Sequence, residues 1–154
     1  MSETTTVADF VLTSPAFEQG QPIPQKHTCE GEDVSPPLAW SGVPEGTVSL
    51  AMVVDDPDAP GGTFTHWLGW GIDPAAGSLA EGEAAPVEGQ NDFGQVGWRG
   101  PCPPPGHGSH RYVFRLYALD GELDPAVGAG KAQLERAFVG RALAVAELVG
   151  RYER

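Results

Sequence analysis

The chain has 154 residues, 40% of them hydrophobic, with 21 acidic and 9 basic side chains for a net charge of −12. That is enough apolar material for one core, but no run reaches the ~18 apolar residues of a spanning helix, and a chain this acidic lacks the basic patch of a nucleic-acid binder or of a protein that docks on an anionic membrane. The 21 glycines and 15 prolines are twice the roughly 18 that average usage gives, which excludes a helical bundle and points to short strands joined by tight turns.

Residues 1–8 are polar and read as a frayed end without a basic, apolar leader, so the cytoplasm is the expected compartment. Phe10-Val11-Leu12 and Ala16-Phe17 suggest a first strand broken at Pro15. Residues 20–38 form a long loop rich in proline, and Val43-Pro44-Glu45-Gly46 is a turn. Val48 to Asp55 is an apolar run that suits a strand buried on both faces. Phe64 to Ile72 is the next strand. Strict alternation puts His66, Leu68, Trp70 and Ile72 on one face and Trp67 on the other, and Gly69 and Gly71 mark a bulge or a close contact.

Residues 73–110 are mostly loop. Tyr112 to Leu119 is a further strand, with Tyr112, Phe114, Leu116 and Ala118 sharing a face. From Lys131 to Tyr152, apolar residues recur at helical spacing (Leu134, Ala137, Phe138, Ala142, Val145, Leu148, Val149, Tyr152). Gly140 divides this stretch into two short helices, and Gly150 lies near its stop. The expected fold is mainly β: an antiparallel β-sandwich with short C-terminal α-helices.

Polar side chains gather in three segments: Asp55-Asp56-Pro57-Asp58-Ala59-Pro60, His66-Trp67, and Gly100 to Tyr112. The first two flank a short turn, which brings Asp56 and His66 to one rim. In the third, His110 and Tyr112 project to one face of a strand and Arg111 to the other. Calcium is excluded, because a loop begun at Asp56 has Trp67 at the twelfth position, where a bidentate Glu is needed. Zinc could draw on Cys102, His107 and His110, completed by Cys29 or His66, without any known ligand spacing. A hydrolase could pair Ser109 with His110 and Asp56, but the strand lead-in points Ser109 away from His110 and no nucleophile elbow is present.

The reading favoured by the residues is capture of a small anion. Gly100, Gly106 and Gly108 free the backbone to offer N–H groups. His66 and His110 add donors, and Trp67, Trp98 and Tyr112 form an apolar rim. Arg111 is expected to make a structural ion pair with Asp58.

Taken in order, Asp56-Pro57-Asp58-Ala59-Pro60, then His66-Trp67, then Gly100-Pro101-Cys102-Pro103-Pro104 and Gly108-Ser109-His110-Arg111-Tyr112 resemble the phosphatidylethanolamine-binding protein family, in its prokaryotic Raf-kinase-inhibitor-like branch. The resemblance runs over residues 9–153, as one domain. It implies a sandwich of a large and a smaller sheet. It also implies a pocket for phosphate, phosphorylethanolamine or a phospholipid headgroup, lined by Asp56, Asp58, His66, Pro101, His110 and Tyr112. It further implies a binding protein rather than an enzyme, without cofactor or metal, a homodimer, and a kinase or protease as protein partner. A helical insertion is expected at 124–139, before the last helix. Cys29 and Cys102 either pair or stay as two buried thiols, and a reducing cytoplasm favours the thiols.

Overall fold

The computed structural model describes residues 9–154; the expected frayed end at 1–8 lies outside them. Eight strands form two antiparallel sheets. β1 (Val11–Thr13), β2 (Leu38–Ser41) and β5 (Ser78–Leu79) make the smaller one, in the order β1-β2-β5. The larger has the order β6-β4-β3-β7-β8, with β3 Ser49–Asp56, β4 Phe64–Ile72, β6 Val87–Glu88, β7 His110–Leu119 and β8 Ala142–Tyr152. The expected β-sandwich is therefore present.

The large sheet is buried on both faces. Leu50, Met52, Val54, Trp67, Phe114, Leu116 and Leu148 meet Leu12, Leu38 and Trp40 of the small sheet and Phe10 just before it. On the opposite face, Ala51, Val53, Leu68, Trp70 and Leu119 are covered by Leu134 and Phe138 of α1 (Lys131–Phe138), the one α-helix among the described residues. This two-sided cover is why β3 reads as an unbroken apolar run: all eight of its residues are buried.

The expectation of helix from 131 to 152 holds only for 131–138. Residues 142–152 form β8, which pairs along its length with β7, from Ala142 opposite Leu119 to Tyr152 opposite His110. The alanines at 142, 144 and 146 prefer a helix when isolated. Here Ala144, Ala146, Leu148 and Gly150 are buried in alternation, and tertiary pairing outweighs the local preference. Gly150 is a packing site rather than a helix stop: a Cβ there would lie 2.5 Å from Ile23 and 2.8 Å from Phe17.

Strand β4 departs from strict alternation twice. Its pairing with β3 shifts between Leu50↔Ile72 and Met52↔Gly69, and again between Val54↔Trp67 and Asp55↔Thr65. Gly71 takes the left-handed φ of +70° that the first shift needs. As a result Ile72 packs between the sheets, while Leu68 and Trp70 pack under α1. The second shift leaves His66 as the extra residue, and this bulge positions the site.

Candidate functional site

Beyond the ends of β3, β4 and β7 lies a cavity of about 200 Å³. Its base is Asp56, His66, His110 and Tyr112, and its walls are Ala59, Pro60, Phe64, Phe93, Cys102, Pro103 and Pro104. The four base residues are each no more than 3% exposed.

Each base residue is fixed by its strand. Asp56 ends β3, where its Oδ1 accepts the Asp58 N–H at 2.8 Å and starts the turn to β4. The bulge at His66 lays its ring against Tyr112, with 5.3 Å between centroids, rather than beside Leu68 and Trp70. Bulges commonly re-aim a side chain in this way. His110 opens β7, and Tyr112 follows it on the same face.

The hydrogen bonds set the tautomers. His66 Nδ1 contacts the Arg99 carbonyl at 2.7 Å. A carbonyl only accepts, so Nδ1 carries the proton and Nε2 of the neutral ring is a free lone pair. His110 Nδ1 donates to Asp56 Oδ2 at 2.7 Å. With that ring neutral, His110 Nε2 accepts from His107 Nδ1, which lies 2.6 Å away. Asp56, His110 and His107 form one chain that runs from the buried strand end to an exposed loop.

Two groups are shifted from their ordinary values. Burial holds His66 below the usual imidazole range, only partly offset by the Arg99 carbonyl and by Asp56 and Asp55. Burial, followed by the Asp56 carboxylate, pushes the Tyr112 phenol well above its usual value. The Tyr112 hydroxyl is buried and has no hydrogen-bond partner among the described residues.

The other expected site residues lie elsewhere. Asp58 is outside the cavity lining and forms a two-pronged ion pair with Arg111, from Arg111 Nη2 to Oδ1 at 2.8 Å and from Nε to Oδ2 at 2.9 Å. Asp58 Oδ2 also accepts the Arg111 N–H at 2.9 Å. Pro101 sits behind the wall, where its carbonyl accepts from the Cys29 N–H. Trp67 and Trp98 do not form a rim: they pack edge to face, 5.6 Å apart, in the inter-sheet core.

The glycines of the loop also play a different part from the one expected. The Gly100 N–H is held by Asp33 Oδ1 at 2.8 Å and the Gly106 N–H by the Arg154 carbonyl at 2.9 Å. Those donors are spent inside the protein. Gly100 is required for close approach instead, since a Cβ would lie 2.1 Å from the His27 carbonyl oxygen.

Cys29 and Cys102 are joined in a disulfide. This corrects the expectation of thiols and removes Cys102 as a zinc ligand. Among the described residues, no group of three or more His, Cys, Asp and Glu is placed to hold a metal ion. Ser109 faces a separate depression with Pro22, Ile23 and Arg151. It does not meet His110 in the cavity, so the Ser109/His110 hydrolase has no nucleophile there.

Phe93 escaped the sequence reading because it lies in what reads as featureless loop. Asn91 was the available signal. Its side chain accepts the N–H groups of Phe93 and Gln95 and donates to the Gly97 carbonyl, a local turn code. The turn presents Phe93 to Phe64 at 4.7 Å and to His66 at 5.5 Å. The Arg99 guanidinium lies 5.4 Å above the Phe93 ring.

No helix among the described residues is long and apolar enough to cross a membrane, which says nothing of strands. Compared with known proteins, the chain is 47% identical to a UPF0098 protein of Pyrococcus abyssi over 95% of its own length and 86% of the relative's. It is similar to the crystal structure of a phosphatidylethanolamine-binding protein homologue of Chlamydia trachomatis, with 42% identity, a TM-score of 0.91 and coverage of 96% and 99% of the two chains. It is also similar to YbcL of E. coli, described as a member of the mammalian family, with 36% identity, a TM-score of 0.89 and the same coverage. The family model for phosphatidylethanolamine-binding protein matches residues 13–153, which span the sandwich and every strand that carries the cavity. The chain therefore belongs to the phosphatidylethanolamine-binding protein family.

Proposed function

We propose that the cavity binds a small phosphate-type anion, free or as a phosphorylethanolamine-like headgroup. The observation that carries this is Tyr112, which lines the cavity and whose buried hydroxyl, near the Asp56 carboxylate, makes no hydrogen bond of good geometry among the described residues. Leaving such a group unpaired costs about 1–3 kcal/mol, which an incoming oxygen acceptor relieves. His66 and His110 lie beside it as further donors, once protonated.

That condition gives the site a pH dependence. In their neutral forms both rings offer only a lone pair at Nε2, and an anion needs N–H. Binding therefore takes up protons, and affinity rises as pH falls through the imidazole range. Family membership supports a binding protein. Phe64, Phe93 and the prolines of the wall provide an apolar mouth that accepts a short alkyl substituent.

Calorimetric titration of phosphorylethanolamine at about pH 5.5 and about pH 7.5 tests the reading. Binding heat that is stronger at the lower pH, and lost in His110→Ala and weakened in Tyr112→Phe, is expected. No heat at either pH, or equal heat in both variants, overturns it.

The cystine bears on the compartment. It fits an oxidising compartment, or the disulfide-tolerant cytosol of hyperthermophiles, better than an ordinary reducing cytoplasm.

A further inference from the structure

We infer that His107 is a proton-released latch on the anion site. The inference rests on the anion reading of the cavity and adds a residue to it.

The latch follows from the accounting at His110. Its Nδ1 is committed to Asp56, so an anion reaches this ring only through Nε2. In the ligand-free protein Nε2 is already occupied by the N–H of His107, at 2.6 Å. Nothing can be inserted into a contact that short. An anion and the His107 bond therefore compete for one atom.

Protonation decides the competition. With one proton on the pair the contact survives, because a protonated His110 Nε2 donates to the Nδ1 lone pair of a His107 ring that carries its own proton at Nε2. With both rings protonated, both sides of the contact are donors, the bond is lost, and charge repulsion drives the rings apart. The Nε2–H so freed is an anion donor, so acid unlocks the site and arms it.

The loop is built to let His107 leave. Gly106 and Gly108 flank it with φ of +77° and +99°, and both have open space around the Cβ position. These are hinge positions that other residues adopt only with strain. The segment before them is pinned, since Arg154 Nε donates to the Pro103 carbonyl and Gly106 N–H to the Arg154 carbonyl. The His107 N–H is tied as well, to the Pro104 carbonyl at 3.1 Å, so the ring leaves by rotation of its side chain and the proline wall stays in place.

The charged and titratable groups around the pair come from every neighbouring element. They are Asp56 from β3, Asp58 from the turn, His66 from β4, Arg111 and Tyr112 from β7, and Arg154 after β8. Asp56 accepts from His110 Nδ1. Arg154 is engaged with the loop itself, and Arg111 is neutralised by Asp58.

The test compares the intact chain with His107→Ala and with His107→Phe, which keeps a ring but no N–H. Inorganic phosphate is titrated by calorimetry at about pH 7.5 and about pH 5.5. Comparing proteins at each pH cancels the titration of phosphate itself. Removing one hydrogen bond of ordinary strength predicts affinity about threefold to tenfold higher in both variants at the higher pH. The three proteins should converge at the lower pH, where the latch is already released. Unchanged affinity at the higher pH, or weaker binding by His107→Ala at the lower one, overturns the latch.

If none of the three proteins binds phosphate, the anion reading fails and the latch is judged without ligand. Ring nitrogen NMR should then show the hydrogen bond between His107 Nδ1 and His110 Nε2 at about pH 7.5 in the intact chain, and its loss at about pH 5.5. A bond that persists at the lower pH, or is absent at the higher one, overturns the latch on its own.

Discussion

His110 donates from Nδ1 to Asp56 Oδ2 at 2.7 Å, and both side chains are almost fully buried. The two residues are 54 positions apart in the chain, brought together because β3 and β7 are antiparallel neighbours. The contact fixes the tautomer of the ring and leaves only Nε2 to face a ligand.

Replacing Asp56 with Asn keeps an Oδ1 acceptor for the Asx turn to Asp58 but sets an N–H donor against His110 Nδ1–H in place of the carboxylate. Phosphate affinity at about pH 5.5 should fall tenfold or more, the equivalent of about 1.4 kcal/mol. Stability should fall by about 1–3 kcal/mol, because a buried charged hydrogen bond is lost. Calorimetry and urea unfolding measure the two effects separately.

The buried, neutral His66 makes the ligand-free protein sensitive to acid. Its folded pKa lies below the ordinary imidazole value because burial disfavours the charged ring. The unfolded chain therefore binds a proton that the folded chain refuses. Stability is full above the ordinary imidazole range and declines as pH drops through it toward the folded value. The urea midpoint should fall over this window. Saturating phosphate should restore it, by binding the folded state alone. In His66→Phe, which keeps a ring against Phe64 and Tyr112, the slope should flatten.

The sequence made the site easier to read than the C-terminal third of the fold. Asp56 and His66 flank a short turn, and His110 and Tyr112 alternate on one strand face; their union in one pocket comes from the family resemblance. Two features were hidden for physical reasons. The bulge at His66 is a property of paired strands, so no single segment announces it. Strand β8 is rich in alanine, and its helical periodicity is genuine. Only the presence of β7 as a partner decides against it.

Asp58 and Arg111 tie the Asp56–Pro60 turn to the start of β7. The guanidinium beside it holds the Asp58 carboxyl down at about 2. This contribution is present above the ordinary carboxylate range and is lost as pH falls toward about 2. Arg111 is half exposed, so solvent screening limits the gain. Arg111→Met should lower the melting temperature by roughly 2–4 °C at neutral pH and by nothing measurable near pH 2, as scanning calorimetry would show.

The cystine closes a long loop, with Cys29 and Cys102 73 positions apart. Chain-entropy arguments put its contribution at about 4 kcal/mol. A Cys29→Ala, Cys102→Ala double variant should unfold at correspondingly lower urea. Because Cys102 and the two prolines after it form one cavity wall, the variant should also bind phosphate more weakly. Titrating thiols in denaturant without reductant should find none in the intact protein.

Asp55 and Asp56 are adjacent but face opposite sides of the large sheet. Asp55 accepts from Lys131 of α1 and from the Thr65 hydroxyl, while Asp56 serves His110. A slip of β3 by one position would exchange the two carboxylates, because side chains in a strand alternate with a period of two. Lys131 would then face the wrong strand position, and the cavity would lose its acceptor. One register of the central strand therefore holds both faces of the sheet at once, the helix contact on one side and the cavity floor on the other.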